Sequence, residues 1–410
     1  MKILVLTNLY PPLSIGGYEE RCRDVVEGLR ERGHDILVLT STHGMIGKKD
    51  DGVVHRRLRI HGFYGHPWCS IPSLFQLERH NHRVLREELA IFRPDVVHVW
   101  NMGGLSKSLL LTLQASRSPV VYDVSDHWIA QSLRADVWLR WWNGEAGGAG
   151  ARLLRGFLRS TGLSQIIQSA APFAPWNQIT FNRVYFCSEF LRRITAKAGY
   201  KVEHGAVIYC GIETGHVTSR LDRPEFQKLL FAGRLSADKD PLTAIRAFGV
   251  LRQRGITNLH LSIYGRGDKE YVAQLHAEAQ ELGVTNLIDF GAVTREEMQQ
   301  IFAVHDALIF TSAWGEPFAL TPLEAMAANI PVISTLEGGS AELIRDKVNA
   351  ISFRTADAEH LADGIVWLRD HPAERARLAS EGKREVLARF GRETMVDQIE
   401  HYLQGSVDHV

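Results

Sequence analysis

The chain has 410 residues, 45% of them hydrophobic, which is enough for two sizeable cores. Its 47 Lys and Arg balance 47 Asp and Glu, excluding a whole-protein electrostatic attraction to nucleic acid or an anionic membrane. Four scattered cysteines without a C-x-x-C pair exclude a disulfide framework or a zinc finger. No apolar run approaches the roughly eighteen residues of a membrane span. The opening MKILVLTNLY reads as a strand rather than a signal peptide, so a cytoplasmic protein is expected.

Lys2 to Thr7 is the first predicted strand. The loop Asn8 to Gly17, a helix Tyr18 to Arg32 closed by Gly33, and the strand Asp35 to Thr40 follow. Further strands are predicted at Pro94 to Trp100 and Pro119 to Val124, with a helix near Leu105 to Ser116 between them. Continuous apolar strands alternating with helices indicate a parallel sheet covered on both faces. Ligands on such sheets gather at the carboxyl ends of strands. That singles out Gly16-Gly17, Trp100 to Gly104, and Ser125 to Trp128. The glycine pair is either a tight turn or a set of amides open to an anion. Neither G-x-G-x-x-G nor a P-loop is present, which disfavours a nicotinamide enzyme.

Residues 61–82 hold His61, His66, His80 and His82 without a helical ligand pair, and no metal site is expected there. Residues 129–180 break the strand–helix rhythm. They mix Trp138, Trp141, Trp142 and Trp176 with Arg134, Arg140, Arg152, Arg155 and Arg159. Two readings fit: an inserted helical pair packing on its own domain, or a peripheral contact with a membrane or acceptor. Val184 to Cys187 and Ala206 to Tyr209 close the first domain, placed at 1–213. The polar stretch 214–224 reads as a linker.

A second strand–helix series begins at Lys228 (KLLFAG) and defines a domain at 225–388; a final helix, 389–410, is expected to return to the first domain. Gly233-Arg234-Leu235 follows a buried strand, and Lys239-Asp240-Pro241 opens a helix, so two cations can neutralise a phosphate pair. The strand Ala307 to Phe310 leads into Trp314 to Ala328. There Thr321-Pro322-Leu323-Glu324 reads as a capping box at a helix N-terminus, a natural anion site bracketed by Glu316 and Glu324. Two Rossmann-like parallel-sheet halves facing each other across a cleft follow as the architecture.

These pieces resemble the retaining glycosyltransferases of the GT-B fold, the large group 1 family. The matching stretches are VIYCGIE, FAGRLSADKDP, IYGRGDKE, FGAV, SAWGEPFALTPLEAMAANIPVIST and GGSAELI, with NLYPPLSIGGYEE and PVVYDVSDHW in the first half. The E-x7-E spacing of Glu316 and Glu324 is the most specific of them. The resemblance implies a nucleoside diphosphate sugar donor, no metal and no other cofactor. Arg234 and Lys239 would hold the diphosphate and Glu324 the ribose, while Glu316 would face the donor sugar. The amides of Phe318, Ala319, Leu320 and Thr321 would line sugar and phosphate, and the backbone near Gly265 and Val293 would meet the base. Gly16 and Gly17 would approach from the opposite lip. The acceptor would be a glycan, lipid-linked glycan or small molecule.

Three positions depart from the family pattern. Ala319 stands where a glycine is usual, Cys210 replaces an asparagine, and Ser125 replaces a histidine before the matching Asp126. Asp126, His127 or His98 would then have to supply the missing polar group, and Asp126 and His127 join the candidate catalytic set. A non-catalytic sugar- or nucleotide-binding subunit and a nucleotide-sugar epimerase are the alternative readings.

Overall fold

A computed structural model describes residues 1–44, 52–62, 69–214 and 225–408. The expected linker lies outside the described residues beyond Thr214, as does His66. The chain forms two compact units, Met1–Tyr209 together with Met395–Val410, and Cys210–Thr394.

Unit 1 is built on β1 (Lys2–Leu6), β2 (Asp35–Ser41), β3 (Val54–Leu58), β4 (Val96–Val99), β5 (Val120–Val124), β6 (Val184–Phe186) and β7 (Ala206–Val207). All pairings are parallel, in the order β3-β2-β1-β4-β5-β6-β7. Ile3, Leu4, Val5 and Leu6 are all fully buried, so both faces of β1 are covered and the strand shows no alternation. Strand order reverses between β1 and β4. The helix Arg392–Asp408 belongs to this unit from Met395 onward. Val396, Ile399 and Leu403 join the core formed with Val25, Val26 and Leu29. A Cβ on Gly28 would lie 3.0 Å from Val396, so glycine permits that close helix contact.

β3 and the helix Ile71–Phe92 have no counterpart in the sequence reading. That helix buries Glu78, Asn81, His82 and Glu88, which interrupt its apolar periodicity and hid it. The histidines there make protein hydrogen bonds: His82 to Thr112 Oγ1 and Ser108 Oγ, each 2.8 Å, and His80 Nε2 to the Arg57 carbonyl at 2.9 Å. Among the described residues no three potential ligands converge on a metal position.

The segment 129–180 holds three α-helices, Val137–Asn143, Ala149–Ser160 and Leu163–Ala170. Its tryptophans are not an interfacial belt. Trp138, Trp141 and Trp142 are buried, Trp142 stacks on Phe173 at 3.8 Å between centroids, and Arg155 lies over Trp141. What faces solvent instead is apolar: Leu153, Leu154, Phe157, Leu163 and Ile166 on the last two helices. Among the described residues no helix is long and apolar enough to cross a membrane.

Unit 2 carries β8 (Lys228–Ala232), β9 (His260–Tyr264), β10 (Ile288–Gly291), β11 (Ala307–Phe310), β12 (Val332–Ser334) and β13 (Ile351–Ser352). They form a parallel sheet in the order β10-β9-β8-β11-β12-β13, reversing between β8 and β11. Ala232, Tyr264 and Gly291 are register partners, so these strands end level and their loops leave from one edge. The fold is thus two Rossmann-like parallel-sheet domains.

Candidate active site

The reversal between β8 and β11 opens a crevice at the carboxyl ends of those strands. The loops that leave there carry Arg234 and Lys239 on one side and Glu316 on the other. Hydrogen bonds staple the two loops together. Thr311 Oγ1 donates to the Lys239 carbonyl at 2.8 Å, and the Ala313 amide donates to that of Asp238 at 2.9 Å. Lys239 Nζ is thereby brought to Glu316 Oε1 and donates to it, and Ser312 Oγ donates to the same oxygen at 2.8 Å. Glu316 is 5% exposed, so its charge is largely withdrawn from water and depends on these two donors.

Arg234 is half exposed and pairs with Asp238 Oδ2 at 3.0 Å. In the loop that joins Arg234 to Lys239, the Ser236 hydroxyl is buried with no partner among the described residues. On the far side of Glu316, the Gly339 amide donates to the Glu316 carbonyl at 2.7 Å. Gly338 has φ +65°, and a Cβ there would stand 2.4 Å from the Glu316 backbone, so only glycine lets this turn close on the loop.

The helix after Glu316 begins two residues earlier than a capping box at Thr321 requires. It runs Leu320–Ala327 with Ala319 as N-cap and no side-chain cap, so Thr321 is the second helical residue and Pro322 the third. Pro322 has no amide proton, which leaves the Leu320 and Thr321 amides as the uncapped donors of the first turn. Glu324 is therefore not a capping residue. Its side chain lines a cavity of about 110 Å³ with Ile212, Glu213, Met298 and Phe302. The Phe318 ring packs on Phe390 with centroids 5.7 Å apart.

Gly265 and Val293 follow β9 and β10, at the same sheet edge. A Cβ on Gly265 would fall 1.8 Å from the Gly233 carbonyl oxygen, and its amide donates to the Gly291 carbonyl at 2.9 Å. Gly265 thus holds three strand ends together, whatever else it does.

In unit 1 the candidate residues gather at the ends of β1, β4 and β5. Gly16 is the N-cap of the helix Gly17–Glu31, but its amide is already taken. Glu19 Oε2 accepts from Gly16 at 3.0 Å and from Ile15 at 3.2 Å. A carboxylate occupies the place expected for an anionic ligand, so Gly16 is not an anion donor. At the end of β5, Ser125 Oγ accepts from Arg21 at 2.8 Å and donates to Asp123 Oδ1 at 2.8 Å. Arg21 and Asp123 form a buried ion pair at 2.5 Å, and the serine completes it. His98 cannot supply the missing histidine. It is fully buried, accepts from Trp100 Nε1 at 3.2 Å, and so donates through Nε2 to Tyr185 Oη at 2.7 Å.

Asp126 and His127 lie partly open to solvent in the following turn. Burial pushes the Asp126 carboxyl up to about 7, opposed by a 2.8 Å hydrogen bond from the Trp128 amide and by the Lys107 charge. A carboxyl group that titrates near neutrality can accept or hold a proton at working pH.

A glycosyl transferases group 1 family model matches residues 219–385, and a glycosyltransferase family 4 model matches residues 15–216. The chain belongs to the group 1 glycosyltransferases. Full-length relatives of the transferase include the uncharacterized glycosyltransferase MJ1607 of Methanocaldococcus jannaschii, 25% identical over 95% of this chain and 94% of that protein. The glycogen synthase of Mycobacterium tuberculosis is 24% identical over 96% of this chain and 92% of its own. Among solved structures, Anabaena HepE in complex with UDP superposes with TM-score 0.70 at 21% identity, covering 99% of this chain and 100% of that one. HepE in complex with UDP and glucose superposes with TM-score 0.68 at 22% identity, over the same shares of the two chains.

Within unit 2 of the transferase the fold brings Arg234, Lys239, Glu316 and the Leu320–Thr321 amides to one switch point. Ser312, Ser236 and Gly338 belong to the same cluster and were missed. The hydroxyl-rich TSAWGE after an apolar strand was the available signal for Ser312. Gly338 needed the tertiary contact. Gly16, Gly17, Asp126 and His127 belong to unit 1.

Proposed function

We propose that the transferase moves a glycosyl group, with retention and without a metal ion, from a nucleoside diphosphate sugar to a hydroxyl of a glycan, lipid-linked or small-molecule acceptor. The observation that carries this reading is the pair of cations Arg234 and Lys239 beside an uncapped helix N-terminus at the switch point of unit 2. Together these neutralise a diphosphate with fixed charge and amides, the role a divalent ion otherwise plays. The UDP held by HepE supports the donor class. Glu324 then takes the ribose hydroxyls. Glu316 accepts sugar hydroxyls through Oε2, which receives no hydrogen bond among the described residues.

In the step itself the bond from the anomeric carbon to the phosphate oxygen breaks, and the acceptor oxygen bonds that carbon on the same face. The acceptor proton passes to the departing phosphate. Arg234 and Lys239 act where charge grows, on the leaving diphosphate, which is where fixed cations accelerate most. Asp126 and His127 hold the acceptor hydroxyl in place of the family's histidine.

The test is thermal shift against UDP, GDP, ADP and dTDP, followed by transfer from the matching sugar and NMR of the product's anomeric configuration. One diphosphate at about a hundred times its Kd should stabilise the protein by about 2.7 kcal/mol. A flat response to all four, or an inverted product, would overturn the corresponding part of the reading.

We further propose a cytoplasmic location, with peripheral membrane contact through residues 129–180. This contact falls to the solvent-facing Leu153, Phe157, Leu163 and Ile166 rather than to the tryptophans. Arg152 and Arg159 flank that face, and no Asp or Glu occurs from Ala146 to Ser188, a charge pattern suited to anionic headgroups. Leu153→Ser/Phe157→Ser should abolish flotation with vesicles containing phosphatidylglycerol; unchanged flotation refutes the contact.

A further inference from the structure

A groove of about 1020 Å³ lies in unit 1, lined by the helix Ile71–Phe92, the segment before β5 and the last insert helix. Three arginines line it: Arg86, Arg93 and Arg117. Its lining contains no Asp or Glu, and Leu89, Leu111 and Pro172 supply apolar wall. Among the described residues none of the three arginines has an ion-pair partner, whereas Arg57, Arg246 and Arg345 each do. Arg86 donates to the Ala170 carbonyl at 3.2 Å, and burial lowers its pKa. Like charges held around one concave, partly apolar surface repel each other until an anion enters.

Position separates this groove from the chemistry. Pro94 and Ser118, which precede β4 and β5, line it, so it opens at the amino ends of strands whose carboxyl ends carry Asp126. Strands of this length put about 13–17 Å of sheet between the two ends.

We propose that this groove binds the phosphate headgroup of an anionic lipid. The three guanidiniums take the phosphate, for which their planar donor forks are suited. The Leu89, Leu111 and Pro172 wall receives the first carbons of the glycerol and acyl chain. A soluble phosphate would leave that wall in water. The groove borders the insert, since Gln168 of the helix Leu163–Ala170 lines it. A lipid seated there would fix unit 1 on a bilayer at a point apart from the exposed apolar face.

Monomeric lipid tests the groove without any bilayer, so the result stands apart from flotation and from donor binding. Calorimetric titration would compare dioctanoyl phosphatidylglycerol below its micelle concentration with dioctanoyl phosphatidylcholine and inorganic pyrophosphate. Phosphatidylglycerol should bind at least tenfold tighter than either. Arg93→Gln/Arg117→Gln changes two side chains with no ion pair or hydrogen bond to described residues, so an unchanged melting temperature is expected. It should weaken phosphatidylglycerol by about tenfold per arginine. Equal binding of phosphatidylcholine, equal binding of pyrophosphate, no binding of phosphatidylglycerol, or unaltered affinity in the double variant each overturns the proposal.

Discussion

Lys239→Ala is expected to lower the rate of transfer by about two to three orders of magnitude, the usual cost of losing one fixed electrostatic stabiliser. The structure adds a complication, because Lys239 is also the counter-charge of Glu316. Removing it strands a carboxylate that is 5% exposed. Breaking a fully buried pair costs about 3–5 kcal/mol; the lysine side chain is 19% exposed, so water screens the loss to about 2 kcal/mol. The single variant therefore confounds folding with chemistry. The double variant Lys239→Ala/Glu316→Gln separates them. Its neutral amide still accepts from Ser312 and needs no counter-charge, so the melting temperature should recover most of the loss. Activity should not recover. If it returned with stability, Lys239 would be only the support of Glu316, and full activity in Lys239→Ala would remove its role on the diphosphate.

Asp126→Asn is the second large effect, with a signature in pH. Burial makes the folded chain hold the Asp126 proton more tightly than the unfolded chain does. The stability this confers is complete below the ordinary carboxylate range and is lost as pH rises through about 7. The carboxylate that can accept a proton appears over the upper part of that interval. In the wild type, kcat/KM should rise with pH to a plateau with an apparent pKa of about 7. In Asp126→Asn it should fall by about 10²–10⁴-fold and lose that limb. A variant that keeps the same limb would show that the titrating group is elsewhere, with His127 the next to substitute.

Ser125 clarifies how a departure from a family pattern should be read. The serine is a member of the buried Arg21–Asp123 cluster, donating to one oxygen of Asp123 and accepting from the guanidinium. A hydroxyl fits there because it donates and accepts at once, so the ion pair is satisfied without a larger side chain. The polar face toward solvent falls to the next two residues, Asp126 and His127.

The sequence by itself determined the two parallel sheets, because strands buried on both faces need uninterrupted apolar runs such as Ile3–Leu6 and Ala307–Phe310. It also placed Arg234, Lys239 and Glu316 at one sheet edge, because they sit just past such strands and parallel topology leaves them nowhere but the carboxyl edge. It could not find the helix Ile71–Phe92. Four buried polar residues there break the apolar period, and they are satisfied only by partners distant in sequence such as Thr112 and Arg59.

Only the tertiary structure decided how individual polar groups are occupied. Lys239 goes to Glu316, Ser125 accepts from Arg21, and His82 pairs with Thr112. Glu324 lies one turn inside a helix that starts at Leu320, and Trp138, Trp141 and Trp142 of the insert are buried while Leu153 and Leu163 face water. Residue type and spacing limit which hydrogen bonds and burials can form. Which of them does form is settled by the packing of chain segments tens to hundreds of residues apart.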